Sequence, residues 1–275
     1  MSPTAWPMDT AMALSLLQVR PGDLSNEQRV SFEERGFFVV EGVYSALQCQ
    51  AMGEEFDRLA EKEGALGGAE VHTEPGAQRV SDIYNKSTAF DATLSCKPLL
   101  SAAFDLLGEM RIHGDNMREP NVGYGEQPLH ADVPTEASRE WRLVNSLHIF
   151  DDMDAANGAT RVVPGSHRWA PINIPLVNVD DSVIPAENQE RGPVPEDPMA
   201  DHPDQVLVTA PAGSVAVFNA HIWHGGTRRM SEARRRVLHL SICRRELPQM
   251  IERRENAGDE LRARLSEAQR WLLDI

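Results

Sequence analysis

The feature that most constrains this fold is a long region, from about residue 110 to 245, without helical periodicity. Short apolar, strand-like segments fill it, over 140–150, 205–209, 214–223 and 235–243. Turn signals such as Asn157-Gly158 and Pro164-Gly165 separate them. Many short strands joined by turns are typical of a jelly roll. We therefore expect a mainly β protein, in which a double-stranded β-helix (jelly-roll, cupin-like) core carries N-terminal and C-terminal helices packed on it.

Helices are predicted before this region. Ser25 with Gln28, and Ser45 with Gln48, form capping-box patterns, and each precedes a segment with apolar residues at helical spacing. Glycines predict where the helices end, at Gly36, Gly64 and, after a third helix from about Pro98, Gly108. Between the first two helices, residues 37–40 form a short buried-strand candidate.

This pattern predicts one domain over residues 25–275, preceded by a leader over 1–24. Residues 180–205, within the strand-like region, are rich in Pro, Asp and Glu, a composition typical of an exposed loop. The predicted parts of the domain are a β-core at about 110–245, a lid-like loop at about 170–205 and a C-terminal helix at about 247–275.

Composition excludes several classes of protein. The 42 acidic residues against 27 basic ones leave a net charge of −15, which disfavours binding to a nucleic-acid backbone. The three cysteines are far apart and odd in number, which predicts no disulfide framework and a reducing compartment. Neither a signal peptide nor a membrane span is recognisable. We expect a cytoplasmic protein that binds a small molecule, no nucleic acid and no membrane, and whose sequence allows a homodimer.

A metal site is indicated by His130-Ala131-Asp132. In a strand, residues two apart point to the same face, so the imidazole and the carboxylate would project together. A third ligand from a distant strand would complete the two-histidine, one-carboxylate triad that holds non-haem iron(II). The pattern alone is weak, because His-x-Asp is common by chance.

The third ligand is either His221 or His224, which strand alternation places on opposite faces of segment 215–224. The face that ends in His224 is otherwise apolar, as a buried metal site requires, so we favour His224. His221 is then an ordinary core histidine or an outer neighbour of the site.

An anionic co-substrate would need a cation, and arginine binds carboxylates bidentately. Of the run 234–236, Arg235 shares a strand face with the small and polar residues His239 and Ser241. The opposite face is more apolar. We therefore predict that Arg235 points into the barrel, whereas its two neighbours are solvated.

Together these motifs resemble the phytanoyl-CoA dioxygenase (PhyH) family of 2-oxoglutarate oxygenases. The resemblance covers about residues 25–245 and includes the opening at 35–40, His130-Ala131-Asp132, the Asn-Gly to Pro-Gly-Ser-His stretch at 157–167, and His224-Gly225. In this family an arginine typically follows the distal histidine by eleven residues, which matches Arg235 after His224. The resemblance implies iron(II), 2-oxoglutarate and dioxygen as cofactor and co-substrates.

The resemblance also suggests roles for other residues. Thr160 and Gln127 are candidate contacts to 2-oxoglutarate, and ordinary strand positions are the alternative for both. His167, in the Pro-Gly-Ser-His turn, is expected to be structural. The sequence departs from the family pattern at Ala131, where Gln is common, and at Arg229, where Asn is common.

The implied reaction is hydroxylation of a small organic molecule, such as a natural-product intermediate, with release of succinate and carbon dioxide. Asp132 disfavours halogenation, because halogenases on this scaffold lack the carboxylate. Oxidative cyclisation, desaturation, epimerisation and endoperoxidation use the same residues and remain alternatives. Two further alternatives are a cupin-type metal enzyme that does not use 2-oxoglutarate and a non-catalytic binding module.

Overall fold

Two antiparallel sheets form the centre of the protein. The computed structural model describes residues 8–20, 22–133, 141–169 and 197–275. Its strands are β1 (Phe37–Val40), β2 (Ala77–Ser81), β3 (Met110–Pro120), β4 (Leu143–Ile149), β5 (Thr160–Val162), β6 (Val206–Val208), β7 (Val215–Asn219), β8 (His224–Gly226) and β9 (Val237–Arg244). The large sheet has the order β1-β7-β4-β9-β3-β2 and the small one β6-β5-β8. Apolar residues of both sheets pack in one cluster, and this confirms the predicted jelly roll.

Alternation along β9 separates the core from the interior cavity. Leu238, Leu240 and Ile242 belong to the main apolar core. His239 and Ser241, on the opposite face, line a cavity between the sheets. The predicted division of this strand into an apolar and a polar face is therefore confirmed.

The helices lie outside the barrel. They are α1 (Thr10–Leu16), α2 (Asn26–Arg35), α3 (Ala46–Glu63), α4 (Ile83–Lys86), α5 (Lys97–Leu107), α6 (Arg253–Asn256), α7 (Asp259–Arg264) and α8 (Glu267–Leu273), with single-turn or irregular 3-10 segments at 64–66, 88–95 and 166–168. Both predicted capping boxes form, at Ser25 and at Ser45. Apolar side chains of α3 and α5, such as Phe56 and Leu99, pack in the same core as β9.

The two ends of the chain differ from expectation. The C-terminal segment forms three short helices and not one, because Gly258 breaks the run and Ser266 caps a new helix with Gln269. The predicted leader contains α1, which packs on α8 and buries Ala13 and Leu14. This contact joins two helices from opposite ends of the chain, so no short sequence pattern predicts it.

Most of the predicted lid-like loop lies outside the described residues, which resume at Asp197. The part that is described packs on the small sheet, where Arg161 donates to the carbonyls of Pro198 and Ala200. Within the described ranges, no helix has both the length and the apolar character needed to cross a membrane.

Candidate metal centre

His130 and His224 face each other across an isolated antiparallel bridge. Each backbone N–H donates to the other residue's carbonyl, at 2.9 Å in both directions. The backbone N–H of Asp132 donates to the carbonyl of Ala220, at 3.0 Å. The prediction that His130 and Asp132 lie in a regular strand is wrong, because this bridge is the only ladder contact His130 makes among the described residues. The loop nevertheless brings both side chains to one point.

The three side chains form a compact set of possible metal ligands. One ligand atom from each of His130, Asp132 and His224 lies within 4.8 Å of the others, and no other described residues form such a group. The Nε2 atoms of the two histidines lie 3.4 Å from the two Asp132 oxygens, one from each. Two imidazoles and one carboxylate on one side of an ion leave positions open for other ligands.

Backbone carbonyls determine the tautomers of both histidines. Nδ1 of His130 lies 2.8 Å from the Pro128 carbonyl, and Nδ1 of His224 lies 3.0 Å from the Ile222 carbonyl. A carbonyl only accepts hydrogen bonds, so Nδ1 must hold the proton in each ring. Nε2 of each ring is thereby turned toward Asp132, where it can hold a proton or a metal ion. Ligating histidines are commonly oriented in this way by a hydrogen bond from their other ring nitrogen.

The Asp132 carboxylate is held in its ionised form. Burial opposes its charge, but His224 and His130 outweigh that cost and keep the pKa of Asp132 well below its ordinary value. The side-chain amide of Asn145, on β4, donates to Oδ2 of Asp132. This contact orients the carboxylate, and sequence reasoning missed it because nothing local relates Asn145 to Asp132.

The chain between β7 and β8 places His224 in this cluster. We predicted one strand over 214–223, but β7 ends at Asn219, and a turn in which the Ile222 N–H donates to the Asn219 carbonyl leads into β8. The chain thereby passes from the large sheet to the small one. The predicted face still lines the cavity, with Phe218, Ala220, Ile222 and His224.

His221, the alternative third metal ligand, lies outside this cluster. His221 packs edge-on against Trp141, with ring centroids 5.2 Å apart, and is not part of the cluster. His167 is also outside it, and its Nε2 contacts the carbonyl of Glu33 at 3.0 Å. Burial lowers the pKa of both histidines to about 4, so they are neutral at neutral pH.

The predicted co-substrate residues lie in the same cavity, which has a volume of about 290 Å³. Arg235 is 1% exposed and donates through Nη2 to Oγ1 of Thr160, at 2.9 Å. Its Nε and Nη1 are buried without an acceptor among the described residues. Burial and the charge of Arg118 lower the pKa of Arg235 to about 9, so the guanidinium stays charged at neutral pH. A buried cation with two free donors fits an anionic ligand.

Gln127 and the other two arginines of the run have different surroundings. Oε1 of Gln127 accepts from the N–H of Gly226 at 3.0 Å, and the residue lines the cavity. Arg234 and Arg236 form ion pairs with Asp57 on α3. The prediction that both are simply solvated is wrong, because α3 brings a carboxylate over the start of β9.

A jelly roll with two histidines and one carboxylate in its cavity defines a metal-dependent enzyme of the cupin-like class. The sequence profile of the phytanoyl-CoA dioxygenase (PhyH) family matches residues 32–237, and the chain belongs to this family. It is a non-haem iron(II)- and 2-oxoglutarate-dependent dioxygenase.

Individual relatives agree with this assignment. Ectoine dioxygenase from Bordetella parapertussis is 28% identical over 221 residues, which cover 76% of this chain and 71% of that protein. The fold is shared with EctD from S. alaskensis, solved with 2-oxoglutarate and 5-hydroxyectoine (TM-score 0.61, 21% identity, 81% of this chain and 77% of that one). It is also shared with HygX from Streptomyces hygroscopicus, solved with nickel, 2-oxoglutarate and hygromycin B (TM-score 0.61, 18% identity, 82% and 90%).

Proposed function

We propose that the chain hydroxylates a small organic molecule at iron(II) held by His130, Asp132 and His224. The observation that supports this most directly is the orientation of the two histidines. Each Nδ1 is held by a backbone carbonyl, so both Nε2 atoms face the Asp132 carboxylate at 3.4 Å. Two imidazole nitrogens and a carboxylate that converge in this way are well suited to a divalent cation.

The co-substrate is assigned to Arg235 and its neighbours. The free Nε and Nη1 of Arg235 would bind the carboxylate of 2-oxoglutarate that lies farther from the metal. The hydroxyl of Thr160 accepts from Arg235 and can donate its own proton to the same carboxylate. Oε1 of Gln127 accepts a hydrogen bond from the backbone N–H of Gly226. The amide N–H groups of Gln127 are therefore left to donate to 2-oxoglutarate.

The remaining cavity residues orient Asp132 and exclude water from the site. Asn145 restrains one oxygen of Asp132, and Phe218 and Ile222 make the adjoining wall apolar. When bound, iron(II) and 2-oxoglutarate supply dioxygen activation, with release of succinate and carbon dioxide. The described cavity has a volume of about 290 Å³, which iron(II) and 2-oxoglutarate would share with the substrate.

The experiment that tests this function is anaerobic addition of iron(II) and then 2-oxoglutarate, followed by absorption spectroscopy. A charge-transfer band that requires both additions is the expected result. A screen of compact substrates, with ectoine first because ectoine dioxygenases are among the relatives, would follow succinate release and product mass. A protein that binds iron(II) but neither binds nor decarboxylates 2-oxoglutarate would overturn the proposal.

A further inference from the structure

Two more arginines line the same cavity at the edge of the large sheet. Arg79 on β2 and Arg118 on β3 lie opposite each other in the strand register. They are 6% and 2% exposed, so both guanidiniums are nearly removed from bulk water. Buried arginines are costly unless anions and acceptors surround them.

One carboxylate serves both of these arginines. Glu74 accepts from Nη1 of Arg79 at 2.7 Å and from Nε and Nη2 of Arg118 at 2.8 and 2.5 Å. Burial opposes the charge on Glu74, but the two arginines outweigh it and lower the pKa of Glu74 to about 2. The other acceptors of the pair are neutral, since Nη2 of Arg79 donates to Oδ1 of Asn116 and Nη2 of Arg118 donates to the Gly125 carbonyl.

These contacts leave donors unused. Nη1 of Arg118 has no hydrogen-bond partner among the described residues, and Nε of Arg79 is buried without one. His239 lies on β9 beside this pair, opposite Asn116 in the register, and its Nε2 is likewise buried without a partner. Burial and the nearby arginines, Arg235 first among them, keep the pKa of His239 well below its ordinary value, so the ring is neutral.

The charges of the described cavity do not balance. Three guanidiniums, those of Arg79, Arg118 and Arg235, stand against the carboxylates of Glu74 and Asp132. Iron(II) and the 2-oxoglutarate dianion would add equal and opposite charges. One positive charge therefore remains on the Arg79–Arg118 side of the cavity, where both guanidiniums are buried.

We propose that the Arg79–Arg118 pair binds a carboxylate of the primary substrate, so that monoanionic substrates are selected over neutral and cationic ones. This proposal rests on the proposed function, because the charge count assumes bound iron(II) and 2-oxoglutarate. A carboxylate would take the unused donors and neutralise the remaining charge. A cationic group at the same place would meet two arginines and only one carboxylate.

The test uses carboxylate probes on the nickel-loaded protein with saturating 2-oxoglutarate, so that Arg235 is occupied. Benzoate and cyclohexanecarboxylate are titrated against benzamide and cyclohexanecarboxamide, with binding followed by ligand-observed NMR. We expect each acid to bind about tenfold or more tightly than its amide, a difference of about 1.4 kcal/mol. Arg79→Met and Arg118→Met should abolish the preference, and Glu74→Gln, which keeps the shape and removes one negative charge, should increase it.

Controls separate this proposal from its alternatives. Arg29→Met removes a surface ion pair with Asp105 and should change nothing. Equal binding of acids and amides by the unaltered protein would overturn the proposal. So would a loss of 2-oxoglutarate affinity in Arg79→Met or Arg118→Met as large as the loss of benzoate affinity, since the pair would then serve the co-substrate. Failure of the unaltered protein to bind nickel or 2-oxoglutarate counts against the proposed function instead, and the acid preference is then measured on Arg235→Met, so that Arg235 does not bind the probe.

Discussion

His130 and His224 exchange both backbone hydrogen bonds of an isolated bridge, and their rings lie 4.4 Å apart between centroids. They are 94 residues apart in the sequence, and this single bridge determines how their side chains meet. The same bridge holds the loop before Asp132 against the start of β8. The candidate metal site therefore lies at the junction between the two sheets.

His224→Ala should abolish specific metal binding. We expect iron(II) or nickel(II) affinity to fall at least about a hundredfold, because loss of even an outer partner of a ligand costs roughly 10–100-fold. Anaerobic titration measures this directly. His221→Ala is the matched control, since it removes a nearby histidine that packs on Trp141, and its metal affinity should be unchanged. The assignment fails if the two variants exchange these results.

Arg235→Met should weaken 2-oxoglutarate binding by roughly 30-fold or more, because truncating one partner of a buried charge pair costs about 2–5 kcal/mol. Thr160→Val should have a smaller effect, of about 1 kcal/mol for one hydrogen bond. Calorimetry on the nickel-loaded protein gives both values. Arg234→Met removes a neighbouring guanidinium that pairs with Asp57 and Glu119, and should leave 2-oxoglutarate affinity intact. Equal losses in all three variants would contradict the assignment.

Gly36→Ala should destabilise the fold through two effects. Gly36 ends α2 with φ = 82°, where a side chain costs roughly 1 kcal/mol. Its added Cβ would also lie 2.5 Å from Nδ1 of His167, whose ring is buried. Gly42→Ala is the matched control for the backbone effect. Its φ is also positive, at 67°, but nothing lies within 4 Å of the added Cβ. Urea denaturation should show a larger loss for Gly36→Ala, and equal losses would mean that His167 moves away freely.

Acid should destabilise the metal-free protein between pH 7.5 and 5.5. Burial lowers the pKa of His148 to about 3 and that of His167 to about 4, whereas the unfolded chain takes up these protons near pH 6.5. Below that pH the unfolded state binds more protons, so each histidine costs about 1 kcal/mol by pH 5.5. Urea denaturation at three pH values measures the slope.

A variant isolates this contribution. His148→Gln should flatten the slope relative to the unaltered protein, and an unchanged slope would be evidence against the buried neutral ring. Glu74 does not contribute in this window, because its lowered pKa of about 2 gives stability that is present above about pH 4.5 and lost only as the pH falls toward 2. The pKa of His224 is raised by Asp132 and acts in the opposite direction, which is why the difference between the two proteins is compared.

Several features were predictable because their signals are local. A capping box needs only Ser and Gln three residues apart, and both predicted boxes form. Strand alternation identified the cavity face of β9 and therefore Arg235. The eleven-residue separation from Arg235 favoured His224 over His221, and the structure groups His224 with His130 and Asp132.

By itself, the sequence determined the jelly-roll class, the limits of α2, α3 and α5 and a short set of residues able to hold iron and an anion. Only the tertiary structure decided where β7 breaks, how Asn145 meets Asp132 and that Glu74 joins Arg79 to Arg118. The physical reason is the distance along the chain between the residues that interact. Caps and alternating faces depend on neighbours within a few residues, whereas these contacts depend on the register of strands and loops distant in the chain, which no local pattern encodes.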